Sequence, residues 1–282
     1  MYFACPYIMW LMWLDTHCHL SAPEFAGDCD AVWHAALDAG VRGILLPSVS
    51  LRDCGQVARL VGQIPGAMPA YGIHPFFVTE VGEEGAALAA LTELLEKNPP
   101  VAVGEIGLDG TKKENWPQQE RFFLAQLKLA RQFDLPVVLH VRGAIDAVLR
   151  GLRQIRVKGG IAHAFNGSRE QAEAFLKLGF KLGFGGSLTY PGSRRIRALA
   201  VDLPLEAIVL ETDAPDIPPV WLRQAGQAGE KPRNTPAELP RIGKILAELR
   251  GMDVETLACQ TSANARAVLL GLRTVIGLAD GN

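Results

Sequence analysis

The stretch Met12-Trp-Leu-Asp-Thr-His-Cys-His19 passes from a short apolar run into a cluster of polar side chains. The same transition recurs along the chain, and five of the six histidines follow an apolar, β-rich run in this way. Metal-ligating side chains at the ends of many strands predict one polar site to which all of these strands contribute. The side chains at these ends are His17, His19, His74, Glu105, His140, His163 and Asp213.

Eight β-rich runs alternate with helical patterns, which predicts βαβ units and a parallel sheet. Most of the runs are apolar throughout, as expected of strands that are covered on both faces. In a chain of 282 residues, this order predicts an α/β fold, the (β/α)8 or TIM barrel, with functional groups at the carboxyl ends of the strands. The predicted strands are 12–14, 43–47, 69–73, 101–106, 136–140, 160–163, 181–185 and 207–210, and the predicted helices are 28–38, 53–63, 86–97, 117–133, 144–152, 169–178, 193–199, 235–249 and 254–269.

An open, doubly wound sheet is the alternative architecture. Such a sheet gathers its ligands at one topological switch point, so it would not readily unite residues from strands one, three, four, five, six and eight. Residues 215–236 hold several prolines and glycines and are predicted to form a long loop after the eighth strand. Ser168 and Thr235 are predicted helix N-caps.

Composition indicates a globular enzyme-sized domain over residues 12–282, since 49% of the residues are hydrophobic and 21% are charged. The net charge of −2 gives no overall attraction to nucleic acid or to an anionic membrane. Five cysteines without a C-x-x-C pair favour a reducing compartment, so a cytoplasmic protein without a membrane span is expected.

The apolar residues 2–14 are not a signal peptide by pattern, because no Lys or Arg precedes them and no A-x-A site follows. They are also too few to span a bilayer. Met9 and Met12 are alternative initiators, so residues 1–11 are either an over-extended start or part of the structure.

The residue types at the strand ends favour a two-metal centre. His17 and His19 are one residue apart, so on an extended strand they share a face and can bind one ion. Glu105 has two carboxylate oxygens and can bridge two ions, whereas His140 and His163 form a natural pair for the second ion. Asp213 would complete the first site and orient or deprotonate water, with Glu105 as the other catalytic carboxylate. The alternatives are structural: His17 and His19 would be buried and hydrogen-bonded without a metal ion, and Glu105 would form an ordinary ion pair.

Several enzyme classes lack support in this sequence. It has no G-x-S-x-G elbow, P-loop or dinucleotide-binding glycine motif, which argues against serine hydrolases, P-loop NTPases and Rossmann enzymes. Because a bound metal ion lowers the pKa of water, hydroxide rather than a side chain is the expected nucleophile.

The order of the motifs resembles the TatD family of metal-dependent deoxyribonucleases, especially its YjjV-like branch, from Leu14 onward. The motifs that carry the resemblance are Asp15-Thr-His-Cys-His19, Gly72-Ile-His-Pro75, Gly104-Glu-Ile-Gly-Leu-Asp109, Leu139-His-Val-Arg142, His163-Ala-Phe-Asn-Gly-Ser168, Glu211-Thr-Asp-Ala-Pro215, Gly183-Phe-Gly-Gly-Ser-Leu-Thr-Tyr-Pro191 and Arg233-Asn-Thr-Pro236.

The resemblance implies an amidohydrolase-type barrel that cleaves DNA with Mg²⁺, Mn²⁺ or Zn²⁺, often from a 3′ end. The DNA substrate would be single-stranded or presented as a 3′ end, and no obligate protein partner is implied. One ion would be held by His17, His19, Glu105 and Asp213, and the other by Glu105, His140 and His163. His74 would contact the scissile phosphate or have a structural role. Arg142 would clamp phosphate oxygens or form a surface ion pair.

Two positions depart from the family pattern and bear on substrate preference. Val141 stands where a small hydroxyl residue is common, and Asn166 replaces a frequent Ser or Thr. Phe76, Tyr190 and Trp221 are candidates for stacking on a base, with packing in loops as the alternative.

Other functions remain open at this point. The same metal pair could hydrolyse another ester or amide, for example in an aminoacyl-tRNA deacylase. Dihydroorotase-like chemistry is disfavoured, because those sites commonly use a lysine carbamate where this chain offers Glu105. A non-catalytic nucleic-acid-binding barrel would not require Asp213. His34 is expected on the surface, and Glu211 and Asp216 are expected to support the site.

Overall fold

The computed structural model describes residues 13–225 and 232–269. Residues 1–11, which are predicted to be either an over-extended start or part of the structure, lie outside the described residues. Eight parallel strands form one sheet in sequence order from β1 to β8. They are β1 Trp13–Asp15, β2 Val41–Pro47, β3 Ala67–Tyr71, β4 Ala102–Asp109, β5 Val137–Arg142, β6 Gly160–Ala162, β7 Phe180–Phe184 and β8 Ile208–Leu210. The predicted (β/α)8 barrel is confirmed.

Helices alternate with these strands and cover the outside of the barrel. They are α1 Cys29–Asp38, α2 Leu51–Gln63, α3 Glu84–Lys97, α4 Trp116–Gln132, α5 Ile145–Gln154, α6 Arg169–Lys177, α7 Arg194–Asp202, α8 Val220–Ala225, α9 Leu239–Arg250 and α10 Val254–Leu269. Within the described ranges, no helix is both long and apolar enough to cross a bilayer.

Hydrogen bonds beyond the regular strands draw β1 and β8 together. The Thr16 backbone N–H donates to the Leu210 carbonyl over 3.0 Å, and the Thr212 hydroxyl donates to the buried Asp15 carboxylate over 2.6 Å. The Asp213 N–H then donates to the His17 carbonyl over 2.8 Å. The first and last strands of the barrel are thus joined by hydrogen bonds of the predicted ligands His17 and Asp213 and of the residues just before them.

Most of the core lies in two layers, as expected for a barrel inside a ring of helices. The larger layer lies between strands and helices, where Trp13 packs on α9 at Gly243. The smaller layer lies inside the barrel and takes one side chain from each of seven strands, joined by two residues of α10. Its buried members are Leu14, Leu45, Ala70, Ala102, Val138, Ile161, Val209, Ala265 and Leu269. This apolar floor leaves the other end of the barrel available for polar groups.

Three details differ from the sequence-based expectations. Strand β4 continues to Asp109 and β5 to Arg142, so Glu105 and His140 lie within strands rather than at their ends. Residues 215–236 are predicted to form a loop, but helix α8 lies within them; its six residues are too few to show an apolar period. Residues 226–231 of this stretch lie outside the described residues. Ser168 caps α6 through a capping box as predicted, whereas the Thr235 side chain makes no cap hydrogen bond.

Candidate metal centre

A cavity of about 1430 Å³ opens where the strands end. Its lining includes His19, His74, Glu105, His140, Arg142, His163 and Asp213. His17 lies beneath this surface and is fully buried. The barrel therefore brings together all of the site residues predicted from the sequence.

The Glu105 carboxylate lies at the centre of the cluster and is 1% exposed. Its Oε2 is 3.2 Å from His17 Nε2 and 3.4 Å from His19 Nε2. Asp213 Oδ1 lies 3.6 Å from each of the same two nitrogens. One oxygen of Glu105 therefore faces a group made of two imidazoles and one further carboxylate.

The other oxygen of Glu105 faces a different set of histidines. Its Oε1 is 2.9 Å from His163 Nε2, 3.1 Å from His140 Nδ1 and 3.6 Å from His74 Nε2. The His163 ring also stacks on the His17 ring with centroids 3.8 Å apart. His163 thus lies between the two groups, and both His140 and His74 stand beside it at Oε1 of Glu105.

Hydrogen bonds outside the cluster determine which ring nitrogen of two histidines faces it. His19 Nδ1 lies 3.2 Å from the Pro47 carbonyl, an acceptor, so Nδ1 carries the proton and Nε2 faces Glu105. His140 Nε2 lies 2.8 Å from Asp109 Oδ2, which leaves Nδ1 to face Glu105. A carboxylate or carbonyl behind a ligating imidazole is the usual arrangement at metal sites.

His74 is oriented in the opposite sense. Its Nδ1 accepts a hydrogen bond from the Phe76 backbone N–H over 3.1 Å, so Nε2 carries the ring proton and points toward Glu105. Burial lowers the pKa of His74 to about 3, so this imidazole is neutral. His74 therefore presents a hydrogen-bond donor to the cavity, whereas His19 and His140 turn toward Glu105 the ring nitrogen that a metal ion could bind in place of a proton.

The protonation of the other groups is dominated by Glu105. Burial disfavours the charged form of both His19 and His163. The hydrogen bond to Glu105 and the charge of Glu105 nevertheless raise the pKa of His19 to about 9. The charge of Glu105 and its hydrogen bond likewise raise the pKa of His163 to about 10. Burial and the neighbouring His163 keep the pKa of His17 well below its ordinary value. Burial also disfavours the Glu105 carboxylate, yet the His163 charge keeps the pKa of Glu105 well below its ordinary range.

Glu211 supports the cluster from the end of β8. Its Oε1 accepts the Ala164 N–H over 2.5 Å and lies 3.9 Å from His163 Nδ1. A Cβ on Gly183 would stand 2.0 Å from Glu211 Oε2, so only glycine at this position of β7 leaves room for the carboxylate. Burial raises the pKa of Glu211 to about 8. These contacts agree with the supporting role expected for Glu211.

Two supporting residues escaped the sequence analysis. Asp109 is fully buried and contacts His140 across the β4–β5 pair. Glu105 and Asp109 are four residues apart on one strand and therefore share a face, which is the signal that could have identified Asp109. Asn234 is fully buried and donates its side-chain N–H to the Thr212 carbonyl over 2.8 Å. It thereby fixes the backbone next to Asp213, whose φ of 57° is left-handed.

The remaining predicted positions lie around the cavity rim. Arg142 is exposed, and it pairs with no carboxylate among the residues that the structure describes. Val141 is half-buried against the core. Asn166 Oδ1 accepts hydrogen bonds from Arg195 Nε and Nη2 over 3.1 and 2.7 Å, so this departure from the family pattern positions a guanidinium. His34 is exposed on α1, as expected.

The donor set fits divalent metal ions. Three groups offer one ligand atom per residue with all atoms within 4.8 Å of one another: His17, Glu105 and His163; His17, His19 and Asp213; and His74, Glu105 and His140. Imidazole and carboxylate are the ligands that such ions prefer. A cation can also replace the protons that these coupled imidazoles otherwise hold around Glu105.

Comparisons with known proteins identify the family of this chain. The family model described as TatD related DNase matches residues 14–270. The protein named "Uncharacterized metal-dependent hydrolase YjjV" from Escherichia coli K12 is 36% identical over 249 residues, which cover 87% of this chain and 93% of that protein. The "3'-5' ssDNA/RNA exonuclease TatD" from the same strain is 34% identical over 260 residues, covering 90% and 97% respectively.

A solved structure shows the same fold at similar identity. The crystal structure of YjjV, a TatD homolog from Escherichia coli K12, matches with a TM-score of 0.84 and 34% identity, over 92% of this chain and 98% of that chain. The family model covers nearly all of the described barrel, including every residue of the cluster. This chain belongs to the TatD family of metal-dependent hydrolases, which act on ester bonds.

Proposed function

We propose that this protein is a phosphodiesterase that removes nucleotides from the end of single-stranded DNA with two divalent ions. The single observation that carries the proposal is that the two carboxylate oxygens of Glu105 face two different groups of histidines. Its Oε2 faces His17 and His19, while its Oε1 faces His140 and His163. A carboxylate shared in this way is suited to bridge two ions.

The first ion would be held by His17, His19, Glu105 and Asp213, and the second by Glu105, His140 and His163. When bound, divalent ions neutralise phosphate oxygens and acidify water. The high imidazole content favours Zn²⁺ over Mg²⁺ and Mn²⁺, which prefer oxygen ligands.

The side chains supply the remaining chemistry. Asp213 is 8% exposed and lines the cavity, which supports a role in accepting a proton from the attacking water. Burial raises the pKa of Asp213, which strengthens it as a base. His74 donates its Nε2–H to a phosphate oxygen, consistent with the tautomer that Phe76 imposes. Arg142 offers a planar guanidinium at the rim for a neighbouring phosphate.

The choice of substrate rests on the relatives and on the cavity. Several relatives with more than 30% identity are named 3'-5' ssDNA/RNA exonucleases, which supports a single-stranded nucleic acid and a 3′ end. With a net charge of −2, the protein must attract phosphate locally, through bound cations and the rim arginines.

The test uses metal-stripped protein with end-labelled single-stranded DNA, double-stranded DNA and RNA. Mg²⁺, Mn²⁺ and Zn²⁺ are restored one at a time, and products are resolved to single nucleotides. Asp213→Asn and His163→Ala are compared with His34→Ala, which makes the matched histidine substitution on the exposed surface. Bound metal is measured by elemental analysis for each protein.

We expect metal-dependent, stepwise shortening of single-stranded DNA from one end, with the label position giving the polarity. Asp213→Asn should reduce the rate by about 10²–10⁴-fold, the usual contribution of a positioned base. His163→Ala should lose both metal and activity, and His34→Ala should match the wild type. Intact DNA with every metal, or equal activity in Asp213→Asn, would overturn the nuclease proposal and direct attention to aminoacyl-tRNA and other esters.

A further inference from the structure

An exposed aromatic ring stands at the mouth of the cavity. Phe76 is 38% exposed and lines the cavity two residues after His74. Among the large hydrophobic side chains that the structure describes, only Phe76 and Val201 are this exposed, and Val201 does not line the cavity. An apolar ring left in water beside a polar site is suited to contact a ligand.

Phe76 lies against the histidines of the candidate metal centre. Its backbone N–H donates to His74 Nδ1, and its ring meets the His74 ring edge-on with centroids 4.9 Å apart. The His140 ring centroid lies 5.9 Å from the Phe76 centroid. A flat group on Phe76 would therefore lie immediately beside the groups that are proposed to act on phosphate.

The two other stacking candidates pack in loops. The Tyr190 hydroxyl donates to the Pro218 carbonyl over 2.8 Å. The Trp221 Nε1–H donates to Glu238 over 2.7 Å, and the Arg241 guanidinium covers its ring at 4.0 Å from the centroid. Neither ring lines the cavity. Of the three rings that the sequence offers as stacking candidates, only that of Phe76 lines the cavity.

Positive charge accompanies the exposed ring. The Lys112 ammonium lies 5.8 Å from the Phe76 centroid. Arg142 of β5 and Arg195 of α7 line the same cavity. A ligand with an aromatic face and flanking negative charges matches this combination, and a nucleotide within a strand has both.

We propose that Phe76 is the stacking platform for a base next to the cleaved phosphodiester, an inference that rests on the proposed nuclease function. The Phe76 ring would contact the π-face of a base and would make no hydrogen bond to the edge of the base. It therefore selects single-stranded ends, whose bases are free to leave a stack, and tolerates any base sequence.

The experiment compares an ordinary single-stranded oligodeoxynucleotide with one that carries abasic residues at both ends. The initial rate of release of the first residue is measured for wild type, Phe76→Ala and Phe76→Leu. Val201→Ala is the matched control, since it truncates an equally exposed apolar side chain outside the cavity. Binding of both oligonucleotides is also measured by fluorescence anisotropy in the Asp213→Asn background, with and without Phe76→Ala.

We expect Phe76→Ala to lower kcat/KM and binding for the ordinary oligonucleotide by about tenfold, within the range that loss of one stacking ring produces. Phe76→Leu should retain part of the effect. The wild type should lose a similar factor on the abasic oligonucleotide, where Phe76→Ala has no further effect. Val201→Ala should behave as wild type on both.

Two results would overturn the platform. One is an equal loss on both oligonucleotides, which would mean that Phe76 only supports His74 and His140. The other is binding that depends on neither Phe76 nor the base. Base-dependent binding through Phe76 without any cleavage would support the platform while removing the nuclease function, so the two proposals fail separately.

Discussion

Replacing Asp109 by Asn tests whether the carboxylate behind His140 controls metal binding. Asp109 is fully buried; its Oδ2 lies 2.8 Å from His140 Nε2, and its Oδ1 accepts from the backbone N–H of Thr111 over 2.8 Å and from the Thr111 hydroxyl. The substitution keeps the shape but removes the charge. If the amide oxygen of Asn at position 109 continues to accept the hydrogen bonds from the Thr111 N–H and hydroxyl, its N–H₂ group faces His140 Nε2.

That orientation forces a change of tautomer. An N–H₂ donor opposite Nε2 needs a lone pair there, which moves the ring proton to Nδ1, the nitrogen that faces Glu105. A hydrogen bond to a charged group contributes about 1.5–3 kcal/mol, and loss of such an outer partner typically reduces metal affinity by about 10–100-fold. A tenfold change corresponds to about 1.4 kcal/mol, so the two magnitudes agree.

The assay is calorimetric titration of metal-stripped protein with Mn²⁺ or Zn²⁺, accompanied by thermal unfolding without metal. We expect Asp109→Asn to weaken binding of one ion by about 10–100-fold and to leave the other ion almost unaffected. Thr111→Val is the control, because it removes one donor to Asp109 and keeps the carboxylate. Wild-type affinity for both ions in Asp109→Asn, or a loss fully explained by unfolding of the metal-free protein, would refute the reasoning.

Three further predictions concern the barrel around the site. Gly243→Ala should lower stability by about 1–3 kcal/mol, because the new Cβ would stand 2.3 Å from the Trp13 ring; an unchanged Tm would contradict this packing. Asn234→Ala removes the buried donor to the Thr212 carbonyl, next to Asp213, so denaturant unfolding should show a loss of about 1–3 kcal/mol, accompanied by lower activity. The Arg233 hydrogen bond lowers the pKa of Asp28 below its ordinary value of 3.8, so the stability from this pair is present above that pH and is lost as the pH falls through the lowered pKa. Asp28→Asn should therefore be slightly less stable than wild type at pH 7 and equal to it at strongly acidic pH, as measured by Tm; a constant difference would exclude the ion pair as the cause.

The local sequence was sufficient to predict the strands and the residues that follow them. Short runs such as Val137-Val-Leu139 are apolar on both faces, a pattern that indicates a strand buried between the barrel interior and the helices. Ends of parallel strands meet on one face of a barrel, so the positions of His17, His140 and Asp213 in the sequence already implied a common site. Helix α8 was missed because its six residues carry too few turns for a period to be visible.

The sequence by itself determined the barrel, the family and the set of candidate ligands, because residue type and spacing record which groups face the same end. Only the tertiary structure decided how these groups act on one another. Ring orientation depends on partners from other strands, such as Asp109 behind His140 and the Pro47 carbonyl behind His19. The exposure of Phe76 likewise depends on how the loops pack. Such contacts arise from register and through-space distance, neither of which a linear pattern contains.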